Sequence, residues 1–368
     1  MALIKDAPPA WLVLANGRIC KGRHFGASGT ALGEVVFSTG MTGYQEALTD
    51  PSYAGQILIQ TFPQSGNYGV NSEDFDSPKA HVSGYIVREW CNTPSNFRME
   101  DNIDSFLKAQ NVIGLYDIDT RSLTRLLRDQ GVMNGAVTTE DPTPRLEALL
   151  AEIRAYSVQN AVENVTCKEI STRKTDNAAC RVVLMDFGCR SYVPAQLAER
   201  GCEVITVPAM TAAKDILALR PDGVVLSEGP GDPAENTGII AEIRTLAESG
   251  LPLFGIGLGH QMLALAMGGT TEKLLHGHRG ANQPVLDLEG SRTYVTSQNH
   301  GYAVTSIPEE AGTVTFINAN DRTIEGIRYT ACKGFGVQFA PVSHGSTVDT
   351  DYLFDVFAQS MQTGKEGK

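Results

Sequence analysis

Two-thirds of the way along the chain, the apolar run Leu253-Phe-Gly255-Ile breaks at Gly257-Leu-Gly259 and passes directly into the helical pattern His260-Gln261-Met-Leu-Ala-Leu-Ala-Met. A strand that enters a helix through G-x-X-x-G is the layout of a nucleophile elbow, a sharp turn that lifts residue X above the end of a sheet. Such a junction calls for a parallel sheet with helices over it. Position X is Gly257, which has no side chain to present. A dinucleotide-binding fingerprint begins the same way, but it needs G-x-G-x-x-G, and the third glycine position holds His260. The downstream segment, Lys273-Leu-Leu-His276-Gly-His278-Arg-Gly280, also lacks the acidic strand end that this motif requires about 20 residues on.

The flanking sequence has the matching rhythm. From residue 182, β-branched runs at 182–186, 203–207, 223–227 and 252–256 alternate with helical patterns at 192–200, 212–219 and 235–249. Further strands are expected at 293–296, 313–317 and 334–339, with a closing helix from 351. The first half differs, with β runs at 11–14, 34–38, 56–60 and 84–88 between Gly-, Ser- and Asn-rich turns. Helices are expected there at 103–110, 120–130 and 144–156, the second capped by Asp119. Residues 160–180 are polar and aperiodic and read as a linker. The expected architecture is α/β: a β-rich domain over 1–159, the linker, and a doubly wound domain over 181–368.

Composition narrows the function classes. The 368 residues carry 30 Lys+Arg against 42 Asp+Glu, a formal charge of −12, and no basic run with interleaved aromatics, which argues against a nucleic-acid partner. No 18-residue apolar window exists, and Asp6, Pro8 and Pro9 interrupt any signal-peptide core, so no membrane partner is expected. The seven cysteines are scattered and never spaced C-x-x-C. That pattern favours neither disulfides nor cysteine zinc sites, and fits a reducing cytoplasm.

The motifs taken together resemble the triad (class I) glutamine amidotransferase family, and within it the small subunits of carbamoyl phosphate synthetase. In the first half the resemblance rests on Gly33-Glu-Val-Val-Phe, Met41-Thr-Gly-Tyr-Gln-Glu, Thr49-Asp-Pro-Ser52-Tyr53, Ser65-Gly-Asn-Tyr-Gly and Asp117-Ile-Asp-Thr-Arg121. In the second it rests on Gly229-Pro-Gly231-Asp-Pro, Gly255-x-x-x-Gly259-His260-Gln261 and Ser297-Gln298-Asn299-His300-Gly301-Tyr302. The resemblance implies a cytoplasmic subunit that binds a large subunit of carbamoyl phosphate synthetase, in a complex serving pyrimidine and arginine synthesis. ATP and magnesium would belong to that large subunit; no cofactor is expected in this chain, which has no G-x-x-x-x-G-K-[ST] loop. In the family a Cys thiolate attacks the glutamine carboxamide, a His shuttles the proton and a Glu orients the His.

All three catalytic positions differ here: Gly257 stands for the Cys, Ala340 for the His and Val342 for the Glu. No catalytic residue is therefore intact, and a chain without its own glutaminase activity is expected, with ammonia as the nitrogen source. Glutamine-contacting positions implied by the resemblance are Ser52, Gly229, Gly231, Leu258, Gln261, Asn299, Gly301 and Tyr302. The glycines have an equally good structural role in tight turns. Cys189 and His344 are the candidates for a substitute nucleophile and base, each more simply read as a small half-buried thiol and a loop histidine. Two rivals stay open: a glutaminase with an unrecognised nucleophile, and a stand-alone glutamine-binding sensor. Arg121, Arg125 and Arg128 form a basic stripe, either a solvated face or a contact for the large subunit.

Overall fold

The structure, a computed structural model, describes residues 7–342 and 349–363 and divides into two compact units, Met1–Gln159 and Asn160–Lys368. No helix among the described residues is long and apolar enough to cross a membrane.

The first unit holds β1 (Pro9–Leu14), β2 (Ile19–Gly26), β3 (Thr30–Ser38), β4 (Gln56–Gln60), β5 (Gln64–Ser65), β6 (Gly84–Ile86), β7 (Glu89–Trp90), β8 (Ile113–Tyr116) and β9 (Met133–Thr138). Seven of these close into a barrel of order β1-β2-β8-β6-β4-β3-β9, while β5 and β7 pair separately. Apolar side chains alternate to fill the barrel, among them Leu12, Leu14, Val35, Ile57, Ile59, Leu115 and Val137. Gly33 and Gly135 pair across β3 and β9, each where a side chain would crowd its neighbours. A Cβ on Gly33 would come within 2.9 Å of the Ile57 side chain. The helices are α1 (Tyr44–Thr49), which the sequence reading lacks, α2 (Ile103–Ala109), α3 (Thr120–Gln130) and α4 (Leu146–Ala155). Asp119 caps α3 by accepting from Ser122 N at 2.9 Å. The helix buries Thr120, Leu123 and Leu127, leaving Arg121, Arg125 and Arg128 exposed.

The second unit begins with what was expected to be a linker. Residues 160–180 instead contain α5 (Ala161–Val165) and β10 (Ser171–Arg173), an antiparallel edge strand on the main sheet. Its polarity misleads because all three β10 residues are exposed, as an edge strand allows. Then come β11 (Cys180–Asp186), α6 (Tyr192–Glu199), β12 (Cys202–Pro208), α7 (Ala213–Ala218), β13 (Gly223–Leu226), α8 (Thr237–Glu248), β14 (Leu253–Ile256) and α9 (Leu258–Ala266). The strands β15 (Thr270–Asp287), β16 (Arg292–Ser306), β17 (Gly312–Asn318), β18 (Ile324–Tyr329) and β19 (Gly334–Val337) follow, and α10 (Tyr352–Thr363) closes the chain. The sheet order is β10-β12-β11-β13-β14-β19-β18-β16-β15-β17.

The strands β12, β11, β13, β14 and β19 are parallel, and both their faces are covered. Val183 and Met185 of β11 face one core with residues of α7, α8 and α9, whereas Val182 and Leu184 face another with residues of α6 and α10. Burial on both sides explains the unbroken apolar runs of the sequence. Strand order reverses at β11 and β13, so their C-terminal ends open the crevice where α/β sheets place their sites. The segment read as a Gly- and His-rich stretch is strand β15, whose pairing with β16 is interrupted by register shifts. Those irregularities break the period-2 pattern on which strand recognition depends.

Candidate functional site

Gly257 makes the elbow. It joins β14 to α9 with φ 55° and ψ −113°, a backbone state that side-chain-bearing residues adopt only under strain. Three hydrogen bonds hold the turn: Gly257 N donates to Val337 O at 2.9 Å, Gly259 N to Ser227 O at 2.9 Å, and Gln261 N to Gly257 O at 3.1 Å. Gly259 packs so closely on β13 that a Cβ there would enter the Leu226 carbonyl. The strained turn between β14 and α9 is thus present with no side chain at its tip.

Around it stand the neighbouring strand ends. At the end of β13, a Cβ on Gly229 would strike the Phe187 carbonyl and lie 3.0 Å from Leu258 Cδ2, while Gly231 takes φ 90°. From α9, the Gln261 amide donates to Tyr302 O at 2.7 Å and to Gln338 Oε1 at 2.9 Å, tying the helix to β16 and to the end of β19. Asn299 pairs across β16 and β15 with Arg279, whose guanidinium lies 3.2 Å from where a Gly301 Cβ would be. Ala340 is buried, its N donating to Ser297 O at 3.0 Å, and Val342 packs half-buried on the same core. Neither supplies a titratable group. Ser52 lies in the first unit, where Asp50 accepts from its N at 2.8 Å. His344 lies outside the described residues.

A buried carboxylate-bearing residue beside the elbow is one that the motif reading passes over. Glu228 lies two residues past the end of β13, immediately before Gly229, and is buried. Its Oε1 accepts from Arg190 Nε at 3.0 Å and from the Tyr192 hydroxyl at 2.7 Å, and the guanidinium lies 4.9 Å from the centre of the Tyr192 ring. Its Oε2 finds no partner among the described residues. Burial raises the Glu228 pKa, and Arg190 opposes that rise. Cys189 sits beside this group, and burial together with the Glu228 carboxylate pushes its thiol well up. A thiol so held is poorly ionised and weakly nucleophilic, which counts against Cys189 as a substitute. Position alone, at a strand end beside the Gly-Pro-Gly turn, is the signal that could have found Glu228.

His260 points the other way, into the sheet. It is fully buried, neither ring nitrogen has a hydrogen-bond partner among the described residues, and burial lowers its pKa to about 3. A Cβ on Gly336 would come within 2.7 Å of its Nδ1, so the ring fits because that strand position is glycine.

Two family models match the chain: "Carbamoyl-phosphate synthase small chain, CPSase domain" over residues 12–137 and "Glutamine amidotransferase class-I" over 183–360. The chain is 44% identical to a carbamoyl phosphate synthase small chain from Syntrophotalea carbinolica, over 98% of this chain and 99% of that one. A pyrimidine-specific small chain from Bacillus subtilis is 44% identical over 97% of each. A small chain from Nostoc sp. is 43% identical over 99% of this chain and 98% of its own.

Proposed function

The chain belongs to the carbamoyl phosphate synthase small-chain family, and from that premise we propose a subunit that keeps the amidotransferase fold without its hydrolytic step. The observation that carries this reading is the side chain missing from the tip of the elbow at Gly257, together with the apolar Ala340 and Val342 at the ends of the sheet. Amide hydrolysis by covalent catalysis needs a nucleophile, a base within hydrogen-bond reach and a group that orients the base. With all three absent, the remaining backbone donors bind at most; they cannot form or break an acyl bond.

Its function in this reading is to hold a carbamoyl phosphate synthase large subunit in a working form, with free ammonia as the nitrogen source. ATP and magnesium chemistry then belongs to the partner. The exposed Arg121, Arg125 and Arg128 of α3 supply a basic contact stripe on an otherwise acidic chain. In the second unit, Gly229, Gly231, Leu258, Gln261, Asn299, Gly301 and Tyr302 would retain a weak site for the glutamine side chain. The raised Cys189 thiol argues against a glutaminase acting through a substitute nucleophile. The test is to mix the purified chain with a large subunit from a relative and measure carbamoyl phosphate formation. Ammonia should support synthesis and glutamine should not; synthesis at equal rates from both would overturn the reading.

A further inference from the structure

Across β15 and β16, His278 and His300 face each other in register, and Gln298 lies on the same face as His300. Glu325 of β18 completes a group in which His278, Gln298 and Glu325 are buried and His300 is half-buried. The outer nitrogen of each ring is already used: His278 Nε2 lies 2.8 Å from Asp321 Oδ2, and His300 Nδ1 lies 2.7 Å from Tyr302 O. Both partners are acceptors, so both outer nitrogens carry hydrogen and donate. In the neutral rings the inner nitrogens then turn lone pairs inward, whereas in an imidazolium they would donate to the same oxygens. His278 Nδ1 lies 3.1 Å from Gln298 Oε1 and 3.4 Å from Glu325 Oε1, and His300 Nε2 lies 3.0 Å from the same Gln298 oxygen.

The last of these contacts sets two acceptors against each other. His300 Nε2 and Gln298 Oε1 both present lone pairs, and only a proton or a cation between them makes the approach favourable. Turning the Gln298 amide over relieves that contact but creates a worse one. Its Nε2 now donates to Glu325 Oε2 at 2.9 Å, so the flip would aim the amide oxygen at a carboxylate.

We propose that His278 Nδ1, His300 Nε2 and a Glu325 carboxylate oxygen, with Gln298 Oε1 as the fourth donor, bind a divalent first-row transition-metal ion, for which Zn2+ fits the donor set. The three charged or imidazole ligand atoms lie within 4.8 Å of one another. The shorter spacings of 3.0–3.4 Å approach the edges of a tetrahedron with metal–ligand bonds of about 2.0–2.2 Å. Two nitrogens and two oxygens suit zinc among the biological divalent ions. An acceptor on the far nitrogen of each ligating histidine, here Asp321 and the Tyr302 carbonyl, is the outer arrangement that fixes tautomer and ring orientation at such sites. The metal's place is structural. It ties β15, β16 and β18 together two residues from Tyr302, whose carbonyl also holds Gln261 in the first turn of α9. Cysteine spacing is blind to this site because no thiol takes part.

The test uses the full chain, stripped of metal by dialysis against a chelator. Zn2+ should bind one-to-one by calorimetry and raise the melting temperature. Co2+ should give the intense visible bands of a tetrahedral site without near-ultraviolet thiolate-to-metal charge transfer. Glu325→Gln and His300→Gln should abolish both signals, and Asp321→Asn should weaken Zn2+ binding by about 10- to 100-fold. Should either ligand variant fail to fold, the Asp321→Asn affinity and the unaltered chain's cobalt spectrum decide the matter. Absence of heat, of thermal shift and of cobalt bands would overturn the proposal, leaving a buried hydrogen-bonded group closed by a proton. So would a thiolate charge-transfer band, or Zn2+ affinity unchanged in Asp321→Asn.

Discussion

A Cβ on Gly257 would lie 3.1 Å from the Cβ of Glu228, so the tip of the elbow is bounded by a carboxylate-bearing residue on the adjoining strand end. Restoring a thiol there meets two obstacles. The φ of 55° and ψ of −113° cost a side-chain-bearing residue about 1–3 kcal/mol, and Glu228 must give by a few tenths of an ångström. Gly257→Cys should therefore lower the melting temperature and leave glutamine hydrolysis undetectable, since no base is added. A scanning-calorimetry trace and an ammonia-release assay on this variant check both parts; recovered turnover would show that a base is present after all.

Arg190 and Glu228 form an ion pair whose side chains are only 11% and 7% exposed. Attraction between them offsets the cost of burying each charge, and removing one partner strands the other. Arg190→Met should destabilise the second unit by about 3 kcal/mol. The double variant Arg190→Met with Glu228→Leu should recover most of that loss. Denaturant melts of the single and double variants provide the comparison, and equal stability of both would mean that the pair contributes little.

The unpartnered His260 ring gives a signed pH dependence. Its folded pKa of about 3 lies below the ordinary histidine value of 6.5, so from pH 6.5 downward the unfolded chain binds a proton that the folded chain does not. Stability conferred on the neutral form is complete above 6.5 and falls with pH until about 3. His260→Asn removes the titration. The stability difference between parent and variant should shrink by about 1.4 kcal/mol per pH unit between pH 6 and 4. A constant difference across that range would show that the ring is protonated or hydrated in the folded state.

Arg121, Arg125 and Arg128 lie on the exposed face of α3, where a structural role is slight. Replacing Arg121 and Arg125 by Glu should leave the melting temperature within a degree or two and weaken large-subunit association by about tenfold or more. Each charge at an interface rim acts mainly on the rate of association, so the loss should be larger at low salt. Surface plasmon resonance at two salt concentrations measures it.

Much of the second unit was legible from residue pattern. Strands buried on both faces leave apolar runs such as Val182-Val-Leu-Met185, and an elbow leaves glycines where backbones touch, as at Gly259 against Leu226. The barrel was not, because closure depends on pairing between strands far apart in sequence, such as β1 with β9. Segment 160–180 was misread because an exposed edge strand has no apolar face to betray it. Side-chain meetings across strands were equally hidden. Cys180 and Cys202 lie opposite each other on β11 and β12, with sulfurs 2.9 Å apart, yet are separated by more than a helix in sequence. The same holds for His278, His300 and Glu325, which only the register of three strands brings together. Glu228 was in plain view, but a motif centred on its glycine neighbours gave no reason to stop there.

The most direct test is ammonia release from glutamine by the purified chain, alone and with a large subunit present, against a relative with an intact cysteine at the elbow. The proposed subunit, without nucleophile, base or orienter of its own, should give a rate indistinguishable from buffer in both settings. Turnover approaching that of the relative would contradict it.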